Sequence, residues 1–323
     1  MGDALNIYAH LCGDSKQSMI VNGIICVYKP AGYTSFDIIA IMRRLLNTKK
    51  IGHSGTLDPM AEGVLPTFVG AATKAVDFCP DCDKEYRAAF RLGLTTDTQD
   101  ISGAVLSEQF VSISDKRFRE VAAKYVGEID QIPPMYSAVK VGGKKLYELA
   151  RKGIKDEDIK RESRRVTIHS LIIESFDEEK QSGLLRVSCS KGTYIRTLIH
   201  DIGGELGGGA VMTALQRTRS NGFTLADCHS LESLRELYAN TPEKLPDLLI
   251  PLCRLFDYPR AQLDAEQTQM FRNGVTLSAD YVRFERVYDG TYSVYDVSGR
   301  IVALAKIEPD HSVAITQRFN YGD

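Results

Sequence analysis

The richest chemistry in this chain lies in one string, Gly52-His53-Ser54-Gly55-Thr56-Leu57-Asp58-Pro59-Met60-Ala61-Glu62-Gly63. A proline disfavours helical backbone at the residue before it, so Pro59 pushes Asp58 into an extended conformation. Gly55 permits a tight turn just upstream. A stiff loop of this kind aims one carboxylate into space. With a reference pKa of about 3.9, Asp58 is ionised at neutral pH and could act as nucleophile or base without a histidine. The plainer reading is an ordinary Asp-Pro turn, which is what an isolated pair of this type usually is. His53 lies upstream in the same string, and a lone histidine is more often structural than catalytic.

Two other patterns imitate sites. Cys79 and Cys82 form one CxxC with no second pair nearby, whereas a zinc ribbon usually needs two. The expectation is a loop with two incidental thiols and no metal. The run Gly203-Gly204-Glu205-Leu206-Gly207-Gly208-Gly209 lacks GxGxxG order and ends a helix instead of opening one, so it reads as helix termination and close packing.

The elements that must carry these residues follow from pattern. Asn22 to Tyr28 reads as a buried strand ended by Lys29-Pro30-Ala31-Gly32. Thr34 to Asp37 fits a capping box, opening a helix with Phe36, Ile39, Ala40 and Leu45 on its apolar side and Arg43, Arg44, Lys49 and Lys50 at its far end. Tyr86, Ala88, Phe90 and Leu92 alternate with Arg87 and Arg91, a half-buried strand. Phe118, Val121, Ala122 and Tyr125 recur at helical spacing, and Pro133-Pro134 breaks any helix beyond them. A short helix is expected around Lys144 to Lys152, stopped by Gly153. Arg165 to Phe176 and Gly183 to Ser190 form a hairpin. Ile195, Leu198, Ile199, Ile202 and Leu206 mark an amphipathic helix. From about residue 251 short strands surround Asp289-Gly290 and Ser298-Gly299 turns, predicting a small all-β domain. Strands and helices mix without regular βαβ alternation, so the class is α+β with a mixed sheet, which argues against a Rossmann fold.

Composition agrees with a folded protein: of 323 residues, 43% are hydrophobic and 25% charged, with a net charge of -2. That balance argues mildly against a strongly basic nucleic-acid binder. Charge is uneven, however: residues 137–165 hold ten Lys/Arg against five Asp/Glu. Apolar runs such as Ile38 to Met42 fall far short of the ~18 residues of a membrane span. Residues 1–18 carry no period and read as a mobile extension without a secretory signal. Seven scattered cysteines then suggest reduced thiols in a cytoplasm.

The Asp-Pro string is one of seven motifs in order. Lys29-Pro30-x-Gly32-x-Thr34-Ser35 precedes it. Gly70-x-Ala72-Thr73-Lys74, Lys84-x-Tyr86, Leu92-Gly93-x-x-Thr96-Asp97-Thr98-x-Asp100, Gln131-x-Pro133-Pro134-x-Tyr136-Ser137-Ala138 and Ser190-Lys191-Gly192-Thr193-Tyr194-Ile195-Arg196 follow. From about Asn22 to Leu225 the series closely resembles the bacterial TruB-type tRNA pseudouridine-55 synthases.

The resemblance implies isomerisation of a T-loop uridine in tRNA. The bond from ribose to N1 is broken, the uracil turns, and C5 is joined instead. No atom is gained or lost, so no redox cofactor, ATP or metal is demanded. The catalytic aspartate falls on Asp58, its facing cation on Arg196, and the active-site tyrosine on Tyr86, whose ring could stack on a flipped uracil and whose hydroxyl could move a proton. Tyr194 and Leu215 match pocket-lining positions. His53 matches a histidine that helps open the T-loop. Lys29, Lys74, Asp100 and Arg217 match positions tied to structure or RNA contact. Each has a blander reading: core packing for Tyr86, Tyr194 and Leu215, and a surface charge for Arg196.

The same resemblance makes the basic stretch, about 131–165, a thumb-like insertion in a catalytic body of residues 19–250. Lys140, Lys144, Lys145, Arg151 and Lys152 are placed to grip phosphates and offset the cost of base extrusion. Residues 251–323 resemble a PUA-type RNA-binding barrel only loosely. They hold eight basic and ten acidic residues, which points to a modest accessory contact. Tyr28 and Glu62 depart from the family pattern, and Glu62 is expected to put a negative charge near the RNA pocket. The partner implied is tRNA, bound by a monomer without a membrane or an obligate protein. A non-catalytic RNA-binding protein, or a synthase acting on another RNA, are the alternatives.

Overall fold

The computed structural model describes residues 22–80, 82–154, 158–319 and 321. The expected N-terminal extension, 1–18, lies outside them. The chain order opens with β1 (Gly23–Lys29), α1 (Ser35–Leu45), β2 (Ile51–His53), β3 (Glu62–Val69) and β4 (Lys84–Leu92). It continues through β5 (Leu94–Thr96), β6 (Val105–Glu108), α2 (Asp115–Ala123) and β7 (Gly127–Gln131). Next come β8 (Lys140–Val141), β9 (Lys144–Lys145), α3 (Leu146–Ala150), β10 (Arg164–Asp177), β11 (Ser182–Cys189), α4 (Ile195–Glu205) and β12 (Ala210–Ser220). β13 (Phe223–Thr224), β14 (Cys228–His229) and α5 (Leu231–Asn240) close the body.

One ten-stranded sheet organises that body, in the order β14-β1-β3-β12-β4-β11-β10-β7, with β2 on β3 and β13 on β12. β1/β14 and β3/β12 run parallel, and the other pairs antiparallel, so the sheet is mixed as expected. The strands with most packing are covered on both faces: in β1, Ile25 and Val27 meet α1 and α5, while Ile24 and Cys26 face a second apolar cluster. β4 shows why its sequence alternates. Tyr86, Ala88, Phe90 and Leu92 enter a core with α2 and α4. On its other face Arg87 reaches solvent and shares Glu174 with Arg186, at 2.7 and 2.5 Å.

α1 begins at the Thr34–Asp37 capping box read from the sequence. Its buried residues include Ile38, Ile39, Met42 and Leu45. Phe36 and Ala40, expected on the apolar side, face solvent. Packing on β1 and β3 selects the stripe that starts at Ile38. In the basic stretch, Gly142 and Gly143 have φ of +58° and +81° and turn a two-residue hairpin between β8 and β9. Lys144 and Lys145 therefore lie on a strand, and the helix is confined to Leu146–Ala150. The insertion leaves and rejoins the sheet at one register pair, Gln131 opposite Arg164.

The last part contains β15 (Arg260–Gln262), α6 (Ala265–Arg272), β16 (Arg283–Phe284), β17 (Tyr292–Tyr295), β18 (Ile301–Ile307) and β19 (Val313–Arg318). Its five-stranded sheet runs β16-β15-β17-β18-β19, an open order among the described residues in place of the closed barrel expected. Tyr295, Ile301, Leu304 and Phe319 share a core with Ile24, Val64 and Phe68 of the main body. Among the described residues no helix is long and apolar enough to cross a membrane.

Candidate active site

The loop that carries Asp58 is fastened on several sides. The Ser35 hydroxyl accepts from Leu57 N at 2.8 Å and donates to Leu57 O at 3.2 Å. Gly32 N donates to Pro59 O at 2.8 Å. On the opposite flank Arg217 donates from Nε to Val64 O at 2.7 Å and from Nη2 to Gly55 O at 3.1 Å. The Ser54 hydroxyl donates to Asn221 Oδ1 at 2.6 Å. Two glycines are required. Gly55 has φ of +127°, and a Cβ there would fall 3.1 Å from Lys84 Cε and 3.6 Å from Arg217 Nη1. Gly63 has φ of +107°, and its Cβ would overlap the Arg217 carbonyl at 2.2 Å.

Asp58 faces Arg196. Oδ2 lies 2.8 Å from Nε, and Nη2 donates to Oδ1 at 3.2 Å. The Arg196 side chain is 4% exposed and that of Asp58 is 33% exposed, so the carboxylate is the open end of the pair. Arg196 also donates to Thr98 O at 2.8 Å and Tyr136 O at 3.0 Å, and Asp100 Oδ2 stands 3.7 Å from Nη1. Burial raises the Asp58 pKa above 3.8, with Arg196 opposing and Asp100 reinforcing the shift.

Arg196 is the second residue of α4. The helix begins at Tyr194, which has no side-chain cap of its own. Gln131 serves instead: Tyr194 N donates to its Oε1 at 2.8 Å, and its Nε2 donates to Tyr194 O at 3.1 Å. In the sequence Gln131, Ser35, Thr98 and Tyr136 are motif letters with no evident role; here they hold the loop and the arginine.

Tyr86 is buried in one cluster with Leu57, Ala61 and Leu215. Burial pushes its phenol up to about 12, with Arg217 beside it pulling the other way and Asp58 close enough to add to the rise. The phenol is therefore protonated at neutral pH. Tyr194 is half-buried, and its phenol senses Ser137, Arg164, Arg196 and Asp58. Asp58, Tyr86, Arg196, Tyr194 and Leu215 thus converge on one place. His53, at the end of β2, is half-buried and accepts from Gly55 N at 3.3 Å through Nδ1. Burial, then Arg217, lowers its pKa and keeps it neutral.

Other expected contacts stand apart from this pocket. Lys29 is 0% exposed, and its ammonium donates to Pro30 O at 3.0 Å, Tyr33 O at 2.6 Å and Pro59 O at 3.3 Å. It holds the loop from within, which favours the structural reading of this position over RNA contact. Burial lowers its pKa to about 8, against the pull of Asp58. Lys74 is exposed on the short helix Gly70–Phe78. Lys140, Lys144, Arg151 and Lys152 are exposed on the insertion. Lys145 and Arg151 stand 5.5 and 5.4 Å from the Tyr147 ring centre.

Glu62 is a further correction. It pairs in register with Gln216, one step from the Gly63–Arg217 pair, so it points to the face opposite Arg217. Gln216 Nε2 donates to Glu62 Oε1 and to the Tyr28 hydroxyl, both at 3.1 Å. The two departures from the motif pattern meet there, away from the pocket. Cys79 Sγ donates to Ala75 O at 3.4 Å and Cys82 Sγ to Cys79 O at 3.1 Å. Among the described residues no three His, Cys, Asp or Glu side chains gather as a metal site.

Comparison with known proteins bears on this geometry. Residues 43–195 match the model for the N-terminal domain of TruB family pseudouridylate synthases. Residues 196–257 match that for the tRNA pseudouridylate synthase B C-terminal domain. The tRNA pseudouridine synthase B of Alkaliphilus oremlandii is 44% identical over 81% of this chain and 85% of its own length. That of Azoarcus sp. is 47% identical over 79% and 83%. Among solved structures, a crystal structure of a Cbf5-Nop10-Gar1 complex contains a similar chain, with a TM-score of 0.70 and 25% identity, covering 94% of this chain and 86% of that one.

Proposed function

Since the chain belongs to the TruB family of pseudouridylate synthases, we propose that it isomerises the uridine at position 55, in the T-loop of tRNA, with Asp58 as the reacting carboxylate. The coarser activity, conversion of a tRNA uridine to pseudouridine, is that of the enzymes it matches. The observation that carries the assignment is the Asp58–Arg196 pair, with the arginine buried and the carboxylate open.

The target base is stacked inside a folded loop and must leave it, at a cost of a few kcal/mol. The exposed cations of the insertion, 132–163, offset that cost by holding phosphates. The flipped uracil lies against the Tyr86 ring, with Leu215 and Tyr194 as further walls. Asp58 then attacks C1′ or takes the C2′ proton, and either step needs the ionised form. Arg196 favours that form and opposes the burial that raises the Asp58 pKa. The N1 glycosidic bond breaks, the uracil turns within the pocket, and C5 bonds to C1′ as the Asp58 carboxylate leaves C1′ or, in the other route, as the C2′ proton is returned. The C5 proton leaves last and N1 takes one up, a transfer assigned to the Tyr86 hydroxyl as relay. Nothing is consumed, and the chain acts on tRNA as a monomer.

Asp58→Asn keeps shape and loses charge. It should form no pseudouridine in a T-arm hairpin while binding tRNA within a few-fold of wild type. Isomerisation by the purified variant near the wild-type rate would remove Asp58 from the chemistry.

A further inference from the structure

We propose that Phe36 and Arg43 form a stacking platform for an unpaired nucleobase of the RNA, on the outer flank of the loop that carries Asp58. The proposal rests on the RNA-modifying function above and adds a contact to it.

Phe36 is 67% exposed on a helix whose other large apolar residues are mostly buried, so the ring adds little to the core. Its position is set by the site. Phe36 follows Ser35, whose hydroxyl bonds both backbone groups of Leu57, the neighbour of Asp58. Two helical turns on, the Arg43 guanidinium carbon lies 5.9 Å from the ring centre. Arg43 Nη2 donates to Ile51 O at 3.3 Å, at the start of the strand that ends in His53. Its Nε is buried without a hydrogen-bond partner. Arg43 and Ser35, the residue before Phe36, therefore hold the two ends of the segment running from Ile51 to Leu57.

The surrounding charge selects the occupant. Arg44, Lys49 and Lys50 are exposed beyond Arg43. The acidic neighbour, Asp37, is engaged by Thr34, accepting from its backbone N at 2.8 Å and its hydroxyl at 2.6 Å. An open aromatic face beside a line of cations is the arrangement by which proteins hold single-stranded nucleic acid: bases stack on the ring and cations meet the backbone. Nucleic acid supplies both the flat base for the ring and the phosphates for the cations in one ligand. The base in question is a loop nucleotide near the target, since the target itself enters the pocket.

The test uses the full chain and a T-arm hairpin carrying 2-aminopurine at one loop position at a time. Phe36→Ala should weaken hairpin binding about ten-fold, or about 1.4 kcal/mol. KM should rise more than kcat falls, and one loop position should lose its quenching. Phe36→Trp should restore both. The exposed site makes misfolding of the variant easy to exclude by its melting curve. Wild-type affinity of Phe36→Ala for the hairpin overturns the platform, as does an equal loss for a blunt duplex without a loop. Unchanged RNA affinity with a shift in sedimentation mass assigns the ring to a second copy and also overturns it. If the wild-type chain makes no pseudouridine in the hairpin, the proposed function fails instead, and the same samples tell the two outcomes apart.

Discussion

Removing one or the other partner of the Asp58–Arg196 pair should have very different consequences for stability. Arg196→Met leaves Thr98 O and Tyr136 O without their donor and strips both Asp58 and Asp100 of a cation. Breaking a buried pair in this way costs about 3–5 kcal/mol. Asp58→Asn leaves Arg196 with the two carbonyls and Asp100, so no charge is stranded. The carboxylate removed is 33% exposed and screened by solvent, which limits the loss to within about 1 kcal/mol. The sign of that small change follows from the raised Asp58 pKa. Well below pH 3.8 both the folded and the unfolded chain hold the proton and no penalty arises. As pH rises through the folded value the carboxylate ionises against its surroundings, and at neutral pH the cost is fully present. Replacing it with a neutral amide should therefore leave the protein as stable as wild type or slightly more so, while ending catalysis. Urea unfolding of the two variants at pH 7 measures the difference. Equal losses for both substitutions would refute the view that Arg196 is the fixed member and Asp58 the strained one.

Single-turnover pseudouridine formation should fall on acidification at a higher pH than an ordinary aspartate would give, because the folded Asp58 takes up its proton earlier; a rate flat down to about pH 4 would contradict this. Neutralising Lys144, Lys145, Arg151 and Lys152 together should weaken tRNA binding, and each lost phosphate contact should lower the slope of log affinity against log salt by about 0.7–0.9. An unchanged slope would show that these charges merely face solvent. Gly63→Ala should destabilise by at least about 3 kcal/mol, since it adds backbone strain to overlap with the Arg217 carbonyl, and a wild-type urea midpoint would disprove the close approach of β3 and β12.

What the sequence made legible was local. Pro59 and Gly55 constrain their own backbone, and the Thr34–Asp37 box caps its helix through neighbours three residues apart, so both could be read from letters. The alternation of β4 was legible because only one of its faces meets the core. The misplacement of Phe36 has a different cause: two apolar stripes fit the α1 pattern, and contact with β1 and β3 decides between them. For Lys29 the letters alone leave structure and RNA contact open. Its burial depends on three carbonyls that converge only when Pro59 folds back over Gly32. Thr98 and Tyr136 could not be assigned because they act through backbone carbonyls, which every residue possesses. The small hairpin at Gly142-Gly143 had a usable signal in its glycine pair, which the surrounding lysines masked.

The insertion and the ion pair share their supports. Gln131, the last residue of β7, fixes the backbone of Tyr194 and with it the turn that delivers Arg196. Tyr136, a few residues into the insertion, gives its carbonyl to Arg196 and its hydroxyl to Asp97 at 3.3 Å. The Arg151 guanidinium is near enough to Tyr136 to act on its phenol. The insertion and the Asp58–Arg196 pair are thus joined by hydrogen bonds at Gln131 and Tyr136. The insertion also springs from the Gln131–Arg164 register pair, whose Gln131 fixes the α4 N-terminus.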